Sequence, residues 1–387
     1  MTERARPIGV DLFCGAGGMS LGFEQAGFDI VAAVDVDPVH IATHQRNFPA
    51  CTSIIADLSS LSGDDLRVDA ELGDREIDVI FGGPPCGGFS IIGKRRVDDP
   101  RNGLLGHFAR LVGELRPRYF VVENVEGLLL GPMTDILQGF RKRIQLAEYE
   151  TVSPIHTLTA SDFGVPQRRR RVFILGYRKG LAPPEYPASL AGSDADGGQR
   201  CPTVWEAIGD LPNVDEVGSL LNGDVYFGEL EPTDSWYAKT LRNETRDPED
   251  LSDIRRRGRH ALTGCGRILH NAATTQRFDE TPPGCYEPVS RLYRLEMDGL
   301  CPTLRAGTGK AGGSFSAPRP IHPLHPRCLT VREGARLHSY PDWFDFHETK
   351  WHGFRQVGLS VPPMLGRAVA KEIHSALQHL VTGDEDA

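Results

Sequence analysis

The segment 8-IGVDLFCGAGGMSLGF-23 constrains this chain more than any other. A β-type run, Ile8–Phe13, meets glycines 15, 17 and 18 and then a helical pattern across Met19–Ala26. Strand, glycine-rich turn and helix in that order let the backbone approach a ligand closely at a helix N-terminus. Further β-type runs follow at Ile30–Val36, Val79–Phe81, Tyr119–Val122 and Arg171–Gly176, each of the first three leading into a turn or helix. Strands alternating with helices predict an α/β fold with a doubly wound parallel sheet.

That alternation stops after residue 212. Residues 181–200 are rich in Pro, Gly, Ala and Ser and read as a surface connection. Residues 213–325 carry Gly, Pro, Arg and short apolar pieces, which predicts a smaller irregular domain. Order returns in 326–387, with Thr330–Leu337 and a helical pattern over Pro362–Leu380 that a proline at its start suits. The closing GDEDA reads as a frayed acidic tail.

The chain has 387 residues, 40% of them hydrophobic and 25% charged, enough for a sizeable core and two or three domains. No apolar run approaches the ~20 residues a bilayer demands, and the N-terminus lacks an apolar signal stretch. Eight cysteines without CxxC or zinc-type spacing predict reduced thiols, no metal and a cytoplasmic protein. The net charge of −9 is uneven. Residues 101–180 hold 13 Lys+Arg against 7 Asp+Glu, and 251–330 hold 12 against 6. Residues 181–250, between them, hold 4 against 15. The two basic blocks either build one cleft for a polyanion or form solvated faces.

Four motifs carry candidate chemistry. Asp35 ends a strand twenty positions after Gly15, where it could bind a ribose hydroxyl, and Asp57 ends the 54-IIAD-57 run. This pattern suits a nucleoside cofactor or a purely structural turn. The spacing is not GxGxxG and does not separate a dinucleotide from S-adenosylmethionine. In 80-IFGGPPCGGFS-90, Cys86 follows two prolines on a sharply turned loop past a strand end, the place for a reactive thiol, although a lone cysteine is more often a small buried residue. In 119-YFVVENVEGLL-129, Glu123 and Asn124 end another strand, where the carboxyl could be a general acid or both residues could cap a turn. In 166-PQRRRRVFILG-176, Gln167 precedes four arginines, and alternation sends Arg169 and Arg171 to one face, Arg168 and Arg170 to the other.

The ordered set DLFCGAGG, VDVDP, PPC, ENV, QRRRR, LTVREGARLHSYPDWF (329–344) and QVGLSVPP (356–363) resembles the bacterial-type cytosine-5 DNA methyltransferases from Ile8 to about Ala370. The resemblance implies a catalytic domain over 1–212, completed by 326–387, a target-recognition domain over 213–325, and double-stranded DNA between them. S-adenosylmethionine would be the cofactor. Phe13 would stack on its adenine, Gly15, Gly17 and Gly18 would bend around its amino-acid moiety, and Asp35 would hold the ribose. Asp57 would accept from the adenine amino group between apolar walls Val36 and Leu58, with Pro85 and Leu104 completing the pocket. Ser360 and Val361 would close it from the C-terminal segment.

The resemblance also implies that Cys86 attacks carbon 6 of a flipped cytosine while protonated Glu123 neutralises ring nitrogen 3. Arg171 would hold the carbonyl oxygen, and Arg169 would orient the thiol and a phosphate. Asn124 and Gln167 would contact the substrate, and Ser90 would clamp the vacated backbone. The setting implied is restriction-modification or phage defence, with a cognate restriction endonuclease as a possible partner and the enzyme a monomer on DNA. Arg255–Arg257, Arg259, Arg267, Arg277, Arg291 and Arg294 are candidate DNA contacts.

Two positions depart from the family pattern: Gly87 where Gln is common, and Leu359 where Asn is common. Neutral drift at non-essential sites is the plain reading, and the alternative is altered donor handling, such as slower transfer or acceptance of a larger group. Competing readings are a tRNA methyltransferase on the same fold, a weakly active DNA-binding relic, and an NAD-dependent oxidoreductase on a similar sheet.

Overall fold

A computed structural model describes residues 6–85, 103–131, 133–189, 200–245, 247–252, 261–308 and 318–383. The chain opens with β1 (Ile8–Leu12), α1 (Gly18–Gln25), β2 (Asp29–Asp35), α2 (Pro38–Asn47) and β3 (Thr52–Ile55). It continues through α3 (Gly63–Asp69), β4 (Val79–Gly82), α4 (Leu104–Leu115), β5 (Tyr119–Asn124) and α5 (Met133–Leu146). These strands form a parallel sheet in the order β3-β2-β1-β4-β5.

The expectation of a wholly parallel sheet does not hold. After α5 come β6 (Tyr149–Thr151), β7 (His156–Thr159), β8 (Gln167–Arg168) and β9 (Arg170–Arg178). Strand β9 runs antiparallel to β5, β6 and β7. The connection explains the reversal. Only about ten residues separate β7 from β9, too few for the helical crossover that parallel neighbours require.

Period-two alternation divides the core between the two faces of the sheet. Val79, Phe81, Tyr119, Val121, Phe173 and Leu175 face one apolar cluster. Ile80, Phe120, Val122, Val172 and Ile174 face the other, under Leu66 of α3, Phe108 and Val112 of α4, and Phe140 and Ile144 of α5. Because both faces are covered, β4 and β5 read as continuous apolar runs rather than alternating ones.

The later part of the chain holds α6 (Val204–Ile208), α7 (Trp236–Leu241), α8 (Ala272–Glu280), β10 (Cys301–Pro302), α9 (Val331–Arg336), α10 (Lys350–Leu359) and α11 (Pro363–Gly383). Tyr237, Leu241, Leu262, Leu295 and Leu304 join the same cluster as Phe23 of α1 and Leu365 of α11. A small cluster of Phe278, Ile321 and Cys328 stands apart. Strand β10 pairs in parallel with β8, Cys301 opposite Gln167, and so attaches this stretch to the start of the arginine run. Thr330 and Glu333 form a capping box that starts α9. Helix α11 packs on α1, and the approach is so close that a Cβ on Gly22 would lie 2.6 Å from Arg367 N. No described helix is long and apolar enough to cross a membrane.

Candidate active site and donor cleft

The turn after β1 is built by opposing demands on its glycines. Gly15 has φ +54°, and a Cβ there would meet nothing within 4 Å. Space is open beside it. Gly17 has φ +97° and would drive a Cβ into the Phe48 ring. Gly18 faces the C-terminal segment: its Cβ would lie 2.4 Å from the Val361 carbonyl and 2.8 Å from Ser360 Cβ. Thus Gly17 and Gly18, expected to bend around a cofactor, are already required by packing. Phe13 takes the left-handed conformation at φ 67°, which is costly for a residue with a Cβ.

Asp35, at the end of β2, accepts from Gly15 N at 2.9 Å and from Asp37 N at 2.8 Å. Burial alone would raise its carboxyl, yet His40 and these backbone N–H groups hold it below the usual carboxylate range. Oδ1 also faces His40 Nδ1 at 3.5 Å, while Oδ2, with Gly15 N alone, keeps a further lone pair for a ligand hydroxyl. Val36 beside it is 66% exposed, and Ile55, opposite Asp35 on β3, is 58% exposed. Asp57 is exposed, accepts from Ser59 N at 2.8 Å and is held low by it. Leu58 is buried, Leu104 half-buried at the start of α4, and Pro85 exposed. An open glycine, an oriented acid and uncovered apolar side chains at three adjacent strand ends fit the nucleoside part of S-adenosylmethionine.

Glu123 and Asn124 close β5 beside the Gly82–Pro85 turn. Glu123 Oε1 lies 2.7 Å from Arg171 Nε, and a Cβ on Gly83 would lie 2.8 Å from Glu123 Oε2. The missing side chain at Gly83 therefore makes room for the carboxylate. Asn124 is buried, with Nδ2 donating to the Pro84 carbonyl at 3.3 Å and Oδ1 accepting from Val125 N at 2.8 Å. Here Asn124 shapes the turn that leads to Cys86. Cys86, Gly87 and Ser90 lie outside the described residues, as do Arg255–Arg257 and Arg259.

Arg169 and Gln167 sit differently from expectation. Arg169 is fully buried, its guanidinium donating to the carbonyls of Leu304 at 3.1 Å, Gly358 at 3.2 Å and Ser360 at 2.8 Å. Through these bonds it fastens the C-terminal segment to β8–β9. Gln167, expected at the substrate, is also fully buried and accepts from Leu304 N at 3.0 Å. Arg168 and Arg170 are exposed, in line with the alternation. Ser360 directs its hydroxyl back to the Val357 carbonyl at 2.9 Å, Val361 is buried, and Leu359 is 46% exposed.

Several candidate DNA arginines are likewise committed within the protein. Arg294 is buried and donates to the carbonyls of Phe278, Asp279 and Thr281. Arg267 pairs with Asp215 at 2.6 Å and Arg277 with Glu287 at 2.9 Å. Arg291 is exposed.

Sequence reasoning missed a buried polar chain under the turn. Ser20 Oγ donates to Asp11 Oδ2 at 2.6 Å and lies 3.1 Å from His44 Nε2, whose Nδ1 is 2.9 Å from Ser53 Oγ. Burial pushes the Asp11 carboxyl up to about 8 and the His44 imidazole down to about 3. It also missed His338 and the buried Arg332 and Arg336 of α9. The T-x-x-E capping signature at Thr330 was the available signal for that helix.

Comparison with known proteins agrees with this geometry. The family described as C-5 cytosine-specific DNA methylase matches residues 9–375. The Type II methyltransferase M.XorII of Xanthomonas oryzae pv. oryzae is 49% identical over 373 residues, 96% of this chain and 86% of the relative. The Type II methyltransferase M.AgeI of Thalassovita gelatinovora is 30% identical over 95% of this chain and 99% of its own. Among solved structures, a protein described as a DNA modification methyltransferase encoded within an E. coli prophage superposes with TM-score 0.76 and 32% identity, covering 96% of this chain and 99% of that one. S. pombe Dnmt2, at TM-score 0.56 and 17% identity over 97% of this chain and 99% of its own, shares the fold. The chain belongs to the C-5 cytosine-specific DNA methylase family.

Proposed function

We propose that this DNA cytosine-5 methyltransferase moves a methyl group from S-adenosylmethionine to carbon 5 of a cytosine flipped out of duplex DNA, through a covalent adduct on Cys86. The observation that carries the reading is the Glu123–Arg171 pair at the junction of β5 and β9, beside the Gly82–Pro85 turn that leads to the cysteine.

Carbon 5 belongs to an aromatic ring and is a poor nucleophile. The Cys86 thiolate adds to carbon 6, which breaks the aromaticity and makes carbon 5 enamine-like. Glu123 delivers a proton to ring nitrogen 3 and so neutralises the charge that the addition creates. Arg171, held against Glu123, donates to the carbonyl oxygen next to that nitrogen. S-adenosylmethionine, when bound, supplies an electrophilic methyl group. Phe13, Gly15, Asp35, Val36 and Asp57 orient the donor from the strand ends, with Leu58, Pro85 and Leu104 completing the pocket and Ser360 and Val361 closing it. Loss of the carbon 5 proton to solvent, expulsion of the Cys86 sulfur as thiolate and return of the nitrogen 3 proton to Glu123 restore the ring. Extruding the base costs a few kcal/mol of pairing and stacking, which contacts from Ser90 to the vacated backbone help to offset.

Residues 213–325 are proposed as the target-recognition domain between the two parts of a catalytic domain, 1–212 and 326–387. The relatives' Type II designation supports a place in restriction-modification beside a cognate endonuclease. A cytoplasmic enzyme that acts as a monomer on DNA completes the proposal. The test is transfer of tritiated methyl to plasmid DNA, with mass spectrometry of the nucleosides and bisulfite sequencing of the product. 5-Methylcytosine at one short sequence is expected; label confined to tRNA, or none, would refute the reading.

A further inference from the structure

His338 stands in a hydrogen-bond chain whose direction can be read from its ends. Leu304 N–H donates to Gln167 Oε1 at 3.0 Å. Gln167 Nε2 donates to the Leu337 carbonyl at 3.1 Å and lies 2.9 Å from His338 Nδ1. His338 Nε2 lies 3.0 Å from the Ser360 carbonyl oxygen. A carbonyl only accepts, so Nε2 must carry the proton, and Nδ1 then offers the lone pair that the Gln167 amide needs. The amide cannot turn over, because its oxygen already receives Leu304 N–H. The imidazole is fully buried, and burial together with the charges of Arg169 and Arg171 keeps it far below its ordinary value, which fixes the neutral form.

The ends of this chain are distant in sequence. Leu304 follows β10, in the stretch proposed to read DNA. Ser360 ends α10 and, with Val361, packs against Gly18 of the donor turn. A second, charged connection runs beside it, since Arg169 holds both the Leu304 and Ser360 carbonyls. Every donor and acceptor in the neutral chain is committed, so a shift at one end must be followed or a buried hydrogen bond is lost.

We propose that His338 is a positioning residue that couples the seating of the Cys301–Leu304 segment to the placement of Ser360 and Val361 against the donor turn, so that DNA and the methyl donor favour each other's binding. The proposal rests on the methyltransferase reading above. Linkage makes the coupling reciprocal: the factor by which DNA tightens the donor equals the factor by which the donor tightens DNA.

Calorimetric titration of S-adenosylhomocysteine into the full-length enzyme, alone and saturated with fragments of a plasmid that it methylates, reads this factor directly. Wild-type protein should bind about five- to tenfold more tightly in the presence of duplex. In His338→Leu the factor should fall to within about twofold of one. His338→Gln, whose amide can face both Gln167 and the Ser360 carbonyl, should keep the factor, while the shorter His338→Asn should lose it. KM for the donor should rise in the Leu and Asn variants while kcat at saturating donor stays within about threefold. A wild-type factor of one, or an unchanged factor in His338→Leu, would overturn the proposal. If the Leu variant does not fold, equal factors in the Asn and Gln variants overturn it. Wild-type protein that transfers no methyl group to DNA would overturn the functional reading itself, whereas unchanged coupling in an active enzyme overturns the His338 assignment alone.

Discussion

Arg171 Nε lies 2.7 Å from Glu123 Oε1 across the antiparallel junction of β5 and β9, with the two side chains 15% and 13% exposed. The junction itself creates the pair. Asn124, the last residue of β5, is opposite Val172, so the end of one strand meets the beginning of the other. A parallel β9 would have placed its first residues at the opposite end of the strands, beside the start of β5. The reversal that departs from the expected topology is therefore what sets an acid beside a cation.

Glu123→Gln should lower the single-turnover rate of methyl transfer about 10²- to 10⁴-fold, with donor affinity changed by less than about threefold. The amide can still hydrogen-bond but has no proton to deliver. The measurement is rapid-quench transfer at saturating DNA and donor, and an unchanged rate would remove Glu123 from the chemistry.

Cys86→Ala should abolish transfer while DNA binding persists. DNA carrying 5-fluorocytosine should trap the wild-type protein in a denaturation-resistant complex and leave the alanine variant free. Residual turnover by the variant would require a different nucleophile.

Two glycine substitutions should separate packing from ligand approach. Gly18→Ala places a Cβ 2.4 Å from a backbone carbonyl and should lower stability by about 3 kcal/mol in urea unfolding. Gly15→Ala meets open space but must hold φ near +54°, costing about 1–2 kcal/mol. Its larger effect should be on S-adenosylhomocysteine affinity. Equal effects of both substitutions on stability and affinity would contradict this division.

Asp11 predicts a slope of stability with pH. Its carboxyl is pushed up to about 8 by burial, with the Ser20 hydrogen bond opposing and the Asp35 charge adding. The native state thus keeps a proton that the unfolded chain releases near pH 4. The contribution is complete below about pH 4 and is lost as pH rises toward 8, at up to ~1.4 kcal/mol per unit. His44, pushed down to about 3 by burial, acts in the opposite sense, removing stability as pH falls below about 6.5. Asp11→Asn should abolish the first slope alone and gain on wild type in thermal melts at pH 8 relative to pH 5. Parallel profiles for the two proteins would show that Asp11 titrates normally.

Exchanging residues 213–325 with those of a related methylase should carry sequence choice with them, as read by bisulfite sequencing. An active chimera that keeps the host's site would place recognition elsewhere.

The parallel half of the sheet and the strand-end positions of Asp35, Glu123 and Arg171 were legible in sequence, because apolar runs and motif residues coincide there. The reversed half was not. Its strands β6 and β7 are three and four residues long, and their orientation depends on a connection length rather than on hydrophobic pattern. The fate of polar residues was equally hidden. Gln167 and Arg169 look like surface recognition groups by residue type, yet each is buried on backbone carbonyls or amides supplied by distant segments. Hydrogen-bond partners more than a hundred positions away leave no local trace, which is also why His338 passed unnoticed within a motif whose residues were all in view.

Gly18 and the Val361 carbonyl, which meet with no room for a methyl group between them, lie near opposite ends of the polypeptide. During synthesis at about 5–20 residues per second, the turn after β1 waits roughly 20–70 s for the segment that covers it. A ribosome that stops before Ser360 therefore releases a sheet whose first turn is unroofed. A cell making this enzyme therefore gains methylating capacity only from chains extended past this segment, and that capacity lags the onset of translation.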